Sequence, residues 1–294
     1  MIIVLTGVTG SGKSELAISL AKKLNAGIVN ADAFQVYEEL NIATAKPTEA
    51  MMMEAPHFLF DFIPVTSSYS VAEYQQDLRS AIATLEQAGK NVIIAGGTGL
   101  YIRAGIYDYR FPEEREVDMA PFEGLGDDEL YRQASLLDEA EAKTIHPHNR
   151  VRLLRLIKMA LMGYRKSEVK QNQAHRPLYD CLFLGLEVER SDIYSRVERR
   201  VERMFESGLV EENRRLVEKH GRDCPAFRAI GVKELFPYFD GLISLEQAKE
   251  EIKKNTRHYV KRQETFFRHQ FDITYVKGEE DVLKLIKERD DGAL

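Results

Sequence analysis

The chain has 294 residues, 44% of them hydrophobic and 30% charged, with a formal net charge of -6, which excludes wholesale disorder. No apolar run approaches the length that spans a membrane, so a helical membrane protein is excluded as well. Cys181 and Cys224 are far apart and belong to no Cys-x-x-Cys pair, which argues against a disulfide framework or a zinc finger and reads as two reduced structural thiols.

Met1 leads straight into the apolar run Ile2-Ile3-Val4-Leu5, a core strand. No basic region or cleavage site precedes it, so no targeting segment is expected and the expected compartment is the cytoplasm. Gly7-Val8-Thr9-Gly10-Ser11-Gly12-Lys13-Ser14 comes next, and Leu16, Ala17, Leu20, Ala21 and Leu24 then recur at helical spacing. Strand, loop and helix in that order make a phosphate-cradling loop. The glycines let successive backbone N–H groups converge on phosphate oxygens, Lys13 supplies a mobile positive charge, and Ser14 offers a hydroxyl suited to Mg²⁺ at a helix N-terminus. A plain glycine-rich turn accounts for neither Lys13-Ser14 nor the flanks.

A short strand is expected at Ile28-Val29-Asn30. Ser70 and Glu73 form a capping box for a helix with Val71, Tyr74, Leu78, Ile82 and Leu85 on one face, stopping near Gly89. A buried strand at Val92-Ile93-Ile94-Ala95 runs into Gly96-Gly97-Thr98-Gly99. From about Arg110 to Pro177 the pattern is helical, with no convincing strand. Another apolar run spans Cys181 to Val188. It is followed by a helix with Ile193, Val197, Val201 and Met204 on one face, a helix starting at the Ser244-x-x-Gln247 cap, and a short strand at Ile273 to Val276. The alternation predicts an α/β protein: a P-loop NTPase-like parallel sheet core flanked by helices, with an inserted all-helical domain. The core is expected over residues 1–112 and 178–294, and the insertion over 113–177.

Charge is distributed in blocks. Eleven acidic residues lie between Glu113 and Glu141, against Arg115 and Arg132, whereas from Arg150 to Arg176 eight Lys or Arg stand against Glu168 alone. A second basic stretch runs from Lys249 to Arg268. These are either solvated helix faces or a nucleic-acid footprint.

The strand at Val92 to Ala95 ends in Gly-Gly-Thr, where motor ATPases and GTPases usually place a metal-holding Asp. Asp32, directly after Ile28 to Asn30, is the better candidate for chemistry, because strand ends beside a phosphate loop converge on the active crevice. Its alternative role is a turn or helix cap.

Several segments together resemble the bacterial tRNA dimethylallyltransferase family. They are the Gly7 to Ser14 loop, Asn30-Ala31-Asp32-Ala33-Phe34-Gln35-Val36-Tyr37, Ile42-Ala43-Thr44-Ala45-Lys46-Pro47-Thr48, Pro56-His57-Phe58 with Tyr69-Ser70-Val71-Ala72, Gly96-Gly97-Thr98-Gly99-Leu100-Tyr101, and Asn255-Thr256-Arg257 with Lys261-Arg262-Gln263. Ala43, Phe58 and Phe266-Phe267 depart from the family pattern, and Tyr109 to Leu125 is shortened relative to it.

The resemblance implies transfer of a dimethylallyl group from its diphosphate to the exocyclic amine of the adenosine beside the tRNA anticodon, with Mg²⁺ as cofactor. It implies diphosphate binding by Thr9, Gly10, Ser11, Gly12, Lys13, Ser14 and Arg257, the metal resting on Ser14. Asp32 would take the proton of the poorly nucleophilic amine, and Thr98 would position the amine or a diphosphate oxygen; the other role open to Thr98 is capping the helix after it. Asp32, Ala33, Phe34, Gln35 and Thr98 would receive the flipped base, with Tyr37 a further reader, while Arg152 and Arg155 grip the tRNA backbone. Arg257 and Lys261 face either diphosphate or RNA, and Arg196 and Arg200 are weaker candidates for the diphosphate. The partners expected are tRNA and dimethylallyl diphosphate, with no membrane and a monomeric enzyme. Two other readings of the same motifs are an ATP-dependent small-molecule kinase with Asp32 as base and a non-catalytic RNA-binding module.

Overall fold

A computed structural model describes residues 1–171 and 176–292. Ile2–Thr6 forms β1, every residue of it buried, and Lys13–Lys23 forms α1. Ala26–Asn30 is β2, likewise wholly buried, followed by α2 (Glu49–Glu54) and the two-residue β3 (His57–Phe58). Then come α3 (Val71–Gln87), β4 (Asn91–Gly96) and α4 (Gly99–Ile106). The chain continues through α5 (Ala120–Glu123), α6 (Asp127–Leu137), α7 (Glu139–Ala142), α8 (Arg150–Leu161) and α9 (Lys166–Gln171). It closes with β5 (Cys181–Leu186), α10 (Arg190–Glu206), α11 (Leu209–His220), α12 (Phe236–Phe239), α13 (Leu245–Gln270), β6 (Thr274–Val276) and α14 (Glu279–Gly292).

The six strands form one parallel sheet in the order β3-β2-β4-β1-β5-β6, with Ile3 opposite Ile93 on one side and Leu182 on the other. A parallel strand covered by helices on both faces has no solvent side, which is why β1 and β4 read as unbroken apolar runs. On one face Ile3, Leu5, Ile93 and Leu184 pack with Leu16 and Leu20 of α1 and Val282 of α14. Another cluster joins Val36 and Leu40 to Val201, Leu209, Leu216 and Ile252, fastening the segment after β2 to α10, α11 and α13. The predicted capping boxes of α3 (Ser70 with Glu73) and α13 (Ser244 with Gln247) are both formed, each reciprocal pair adding about 1 kcal/mol of helix stability. No described helix is long and apolar enough to cross a membrane.

The chain divides into two units, Met1–Ile106 with Leu178–Leu294, and Tyr107–Pro177. The first boundary, expected after residue 112, falls between Ile106 and Tyr107; residues 172–175 of the expected insertion lie outside the described residues. The second unit has its own core of Leu130, Ala134, Ile145, Leu153, Leu156 and Ile157. Its opposed charge blocks partly pair: Arg150 with Asp127, and Lys166 and Lys170 with the buried Glu141.

Candidate active site at the strand ends

Because β1, β2 and β4 run in parallel, their C-terminal ends open on the same side, where α/β sheets bind ligands. Gly12, at φ 98°, turns the chain from the loop into α1, a conformation that disfavours a side chain. Beside this turn lies a cavity of about 430 Å³ lined by Thr9, Gly10, Gly12, Lys13 and Ser14, by Asp32 and Gln35 from the segment after β2, and by Gly96 and Gly97. Ser11 reaches its surroundings through the backbone, and its buried Oγ has no hydrogen-bond partner.

Lys13 Nζ donates to the Val8 carbonyl at 2.8 Å. Burial, followed by the nearby positive charge of Arg200, pushes its ammonium down to about 7, although Asp32 opposes this. Arg196, Arg200 and Arg203 of α10 line the same cavity. Their spacing puts them on one face of the helix. Arg196 Nη1 donates to the Ser11 carbonyl (3.3 Å), and the half-buried Arg200 donates through Nη2 to the Thr44 carbonyl (3.4 Å). Burial lowers the Arg200 pKa, with Asp32 acting the other way. This concentration of cations, with Lys13 and Arg200 the least solvated, suits a multiply charged anion.

Asp32 performs the turn role and remains available for chemistry. Its Oδ1 accepts the N–H groups of Phe34 (2.9 Å) and Gln35 (3.4 Å), and no described residue donates to Oδ2. Thr98 likewise does two things: its carbonyl accepts the Tyr101 N–H in the first turn of α4, and its Oγ1 accepts the Ala33 N–H at 3.0 Å. Asp32, Ala33 and Thr98 are thus brought together. Gln35 reaches the cavity, but its amide nitrogen donates to the carbonyls of Thr44 (3.0 Å) and Ala45 (3.2 Å). Tyr37 is buried, with its N–H on the Phe34 carbonyl.

A second cavity, of about 200 Å³, meets the first at Thr9, Asp32 and Arg200. Phe34, Val201, Met204, Ile230 and Ile252 make it apolar, and Arg228, Lys233 and Arg262 add positive charge. Tyr259 lines it too; burial, then the charge of Asp32, raises its phenol, and the nearby Thr98 and Gln263 side chains act the other way.

Arg257 is not brought to either cavity. One residue along from Thr256, which lines the second cavity, it is turned about 100° around α13 and pairs with Glu198 at 3.1 Å. Much of the expected basic stretch is neutralised in the same way: Lys249 and Lys253 pair with Glu202, and Lys254 with Glu251. In the second unit, Arg152 and Arg155 lie exposed on the face of α8 opposite Leu153, Leu156 and Ile157, and neither guanidinium pairs with an acid among the described residues.

Besides Arg228, Ile230, Lys233 and Ile252 of the second cavity, three site residues were not singled out from the sequence. Arg203 is one, and its signal was the helical spacing from Arg196 and Arg200. Tyr259 and Gln263 are the others, with only a place in or near a family segment to mark them. Glu212 of α11 also acts at a distance, its buried carboxylate accepting the N–H groups of Asn41 (3.0 Å), Ile42 (2.8 Å) and Ala43 (3.1 Å), the start of a segment that walls both cavities.

Residues 35–270 match the protein family described as IPP transferase. The tRNA dimethylallyltransferase of Anoxybacillus flavithermus is 41% identical over 285 residues, 96% of this chain and 92% of that protein. That of Bacillus subtilis is 40% identical over 93% of this chain and 90% of its own length. Among solved structures, the tRNA delta(2)-isopentenylpyrophosphate transferase of Staphylococcus epidermidis has a TM-score of 0.74 at 35% identity, covering 98% of this chain and 99% of its own. A eukaryotic dimethylallyltransferase, described as acting on tRNA, has a TM-score of 0.81 at 26% identity, covering 93% of this chain and 73% of its own.

Proposed function

The chain belongs to the IPP transferase family and is a tRNA-modifying prenyltransferase, and from that premise we propose that dimethylallyl diphosphate is its donor and the exocyclic amine of the adenosine beside the anticodon its acceptor. The observation that carries this reading is the position of Asp32, where a cationic cavity beside the phosphate loop meets a smaller apolar one. The kinase and the non-catalytic readings give that junction, and the family membership, no task.

The chemistry follows from the two environments. The loop N–H groups, Lys13, Arg196 and Arg200 hold the diphosphate and favour the negative charge that grows on it as the allylic C–O bond breaks. The amine nitrogen forms the new C–N bond and its proton passes to Asp32, whose Oδ2 is unengaged among the described residues. Thr98, held to Ala33, and Tyr259, in the wall of the second cavity, orient the acceptor side. The apolar walls of the second cavity keep water from the allylic centre, where it would compete with the amine.

No three His, Cys, Asp or Glu side chains cluster to hold a metal among the described residues, so Mg²⁺ would rest on Ser14, diphosphate oxygens and water, the ligands this hard cation accepts. When bound, it neutralises charge on the leaving diphosphate. The same reading takes the enzyme as a monomer acting on tRNA in the cytoplasm. Arg152 and Arg155 remain the candidates for gripping the tRNA backbone.

The test is to incubate the purified protein with dimethylallyl diphosphate or ATP, and with tRNA or AMP, and to analyse the nucleosides. Prenylated adenosine only in tRNA, and only with the allylic donor, is the expected result. Phosphorylated product from ATP, or prenylated AMP, would overturn the reading.

A further inference from the structure

The amide of Gln263 joins the phosphate loop to the strand end that carries Thr98, and we propose that Gln263 is a positioning residue that fixes the spacing of these two halves of the site during prenyl transfer. This rests on the reading that the diphosphate lies in the loop. Gln263 Oε1 accepts the Thr9 N–H at 2.9 Å, and Nε2 donates to the Gly97 carbonyl at 2.9 Å. The side chain is buried, so both bonds are shielded from competing water. A Cβ on residue 97 would lie 2.0 Å from Nε2, so the glycine there admits the amide. The bonded Gly97 carbonyl belongs to the peptide unit that leads directly into Thr98.

A short path therefore runs from Thr9, beside the leaving group, through the Gln263 amide to the Gly97 carbonyl, one peptide bond from Thr98 beside the acceptor. In the reaction a carbon passes from a diphosphate oxygen to an amine nitrogen, and the separation of their two cradles sets both partial bonds. Misplacement by about 1 Å can lower such a rate about 100-fold. Gln263 suits the task because one planar amide supplies an acceptor to one half and a donor to the other at fixed separation.

The test uses Gln263→Glu. A neutral carboxylic acid also presents one acceptor and one donor, whereas the carboxylate has no donor for the Gly97 carbonyl and sets a negative charge near the diphosphate. Single-turnover rates with saturating substrates should show the ratio of variant to parent climbing at least about fivefold as pH falls from about 8 to about 6, the range where a buried Glu protonates. Gln263→Ala should be slowed at least about tenfold at every pH, with tRNA affinity within about twofold of the parent. Gln263→Asn, too short to span both partners, should lose kcat with little change in KM and serves if the Glu variant does not fold. A flat Glu-to-parent ratio, or an Ala variant within about threefold of the parent, would overturn the proposal. Lys13→Ala run in parallel separates the premise: an unaltered KM for dimethylallyl diphosphate there would sink the loop reading itself, whatever the Gln263 variants do.

Discussion

Lys13 folds its ammonium back onto the carbonyl oxygen of Val8, within the loop to which both belong. In this arrangement the charge has a backbone dipole for company and little solvent, and its pKa falls from 10.5 to about 7, through burial first and Arg200 second. The unfolded chain holds that proton more tightly than the folded one. Stability of the ligand-free protein should thus decline as pH drops from 10.5 toward 7 and level off below that. A diphosphate supplies the missing counter-charge and restores the proton. Calorimetry at about pH 8 in buffers of different ionisation enthalpy should show proton uptake on diphosphate binding, and Lys13→Arg, charged throughout, should show less. Equal uptake by the two proteins would contradict the assignment.

Lys13→Ala should weaken binding of dimethylallyl diphosphate by about 1.5 to 3 kcal/mol, the worth of one charge-assisted contact. Affinity for tRNA should hardly change. Donor titrations and tRNA filter binding read the two separately.

Asp32→Asn keeps a side-chain oxygen for the Phe34 and Gln35 N–H groups, so the turn should survive. An amide cannot accept the amine's proton, and the single-turnover rate should drop by about 10² to 10⁴ with both substrates still bound. A loss under about threefold would remove Asp32 from the role of base, and a large loss together with failed tRNA binding would make it a reader of the base instead.

Replacing Arg152 and Arg155 together by Ala should lower tRNA affinity and flatten its salt dependence, by about one to two units of log K per log salt concentration. A double variant with the parent's affinity and slope would return this face of α8 to ordinary solvated surface.

Glu212→Ala would strand three backbone N–H groups in the interior, and urea denaturation should register a loss of about 2 to 4 kcal/mol. Glu212→Gln, which keeps one acceptor oxygen, should lose less. An Ala variant as stable as the parent would show that the segment after Leu40 does not depend on this carboxylate.

The phosphate loop was legible because everything that defines it lies within eight residues, flanked by a strand and a helix whose periods are also local. Asp32 and Thr98 were legible as strand-end residues, and the capping boxes of α3 and α13 from four-residue spacing. Choosing among the arginines was harder. Arg196, Arg200 and Arg203 face the cavity while Arg257 turns away, and helical periodicity says which residues share a face but not which face meets the site. Gln263 contacts Thr9 across 254 positions of chain, and Glu212 contacts Asn41 across 171, so no local pattern could report either contact. The strand at His57–Phe58 was missed because two residues carry no period.

The chain leaves the first unit at Ile106 and re-enters it at Leu178, and there the Leu178 N–H donates to the Ile106 carbonyl at 2.9 Å. Departure and return are neighbours, so the sheet and its crevice are wound as if the intervening residues were a single long loop. Such a loop can be shortened, lengthened or exchanged at little entropic cost, because closing its ends is done by the sheet and not by the loop. The segment is in effect a cassette: on the proposed role of Arg152 and Arg155, a lineage can change its grip on tRNA by exchanging this unit, while the transfer chemistry stays untouched behind two adjoining residues.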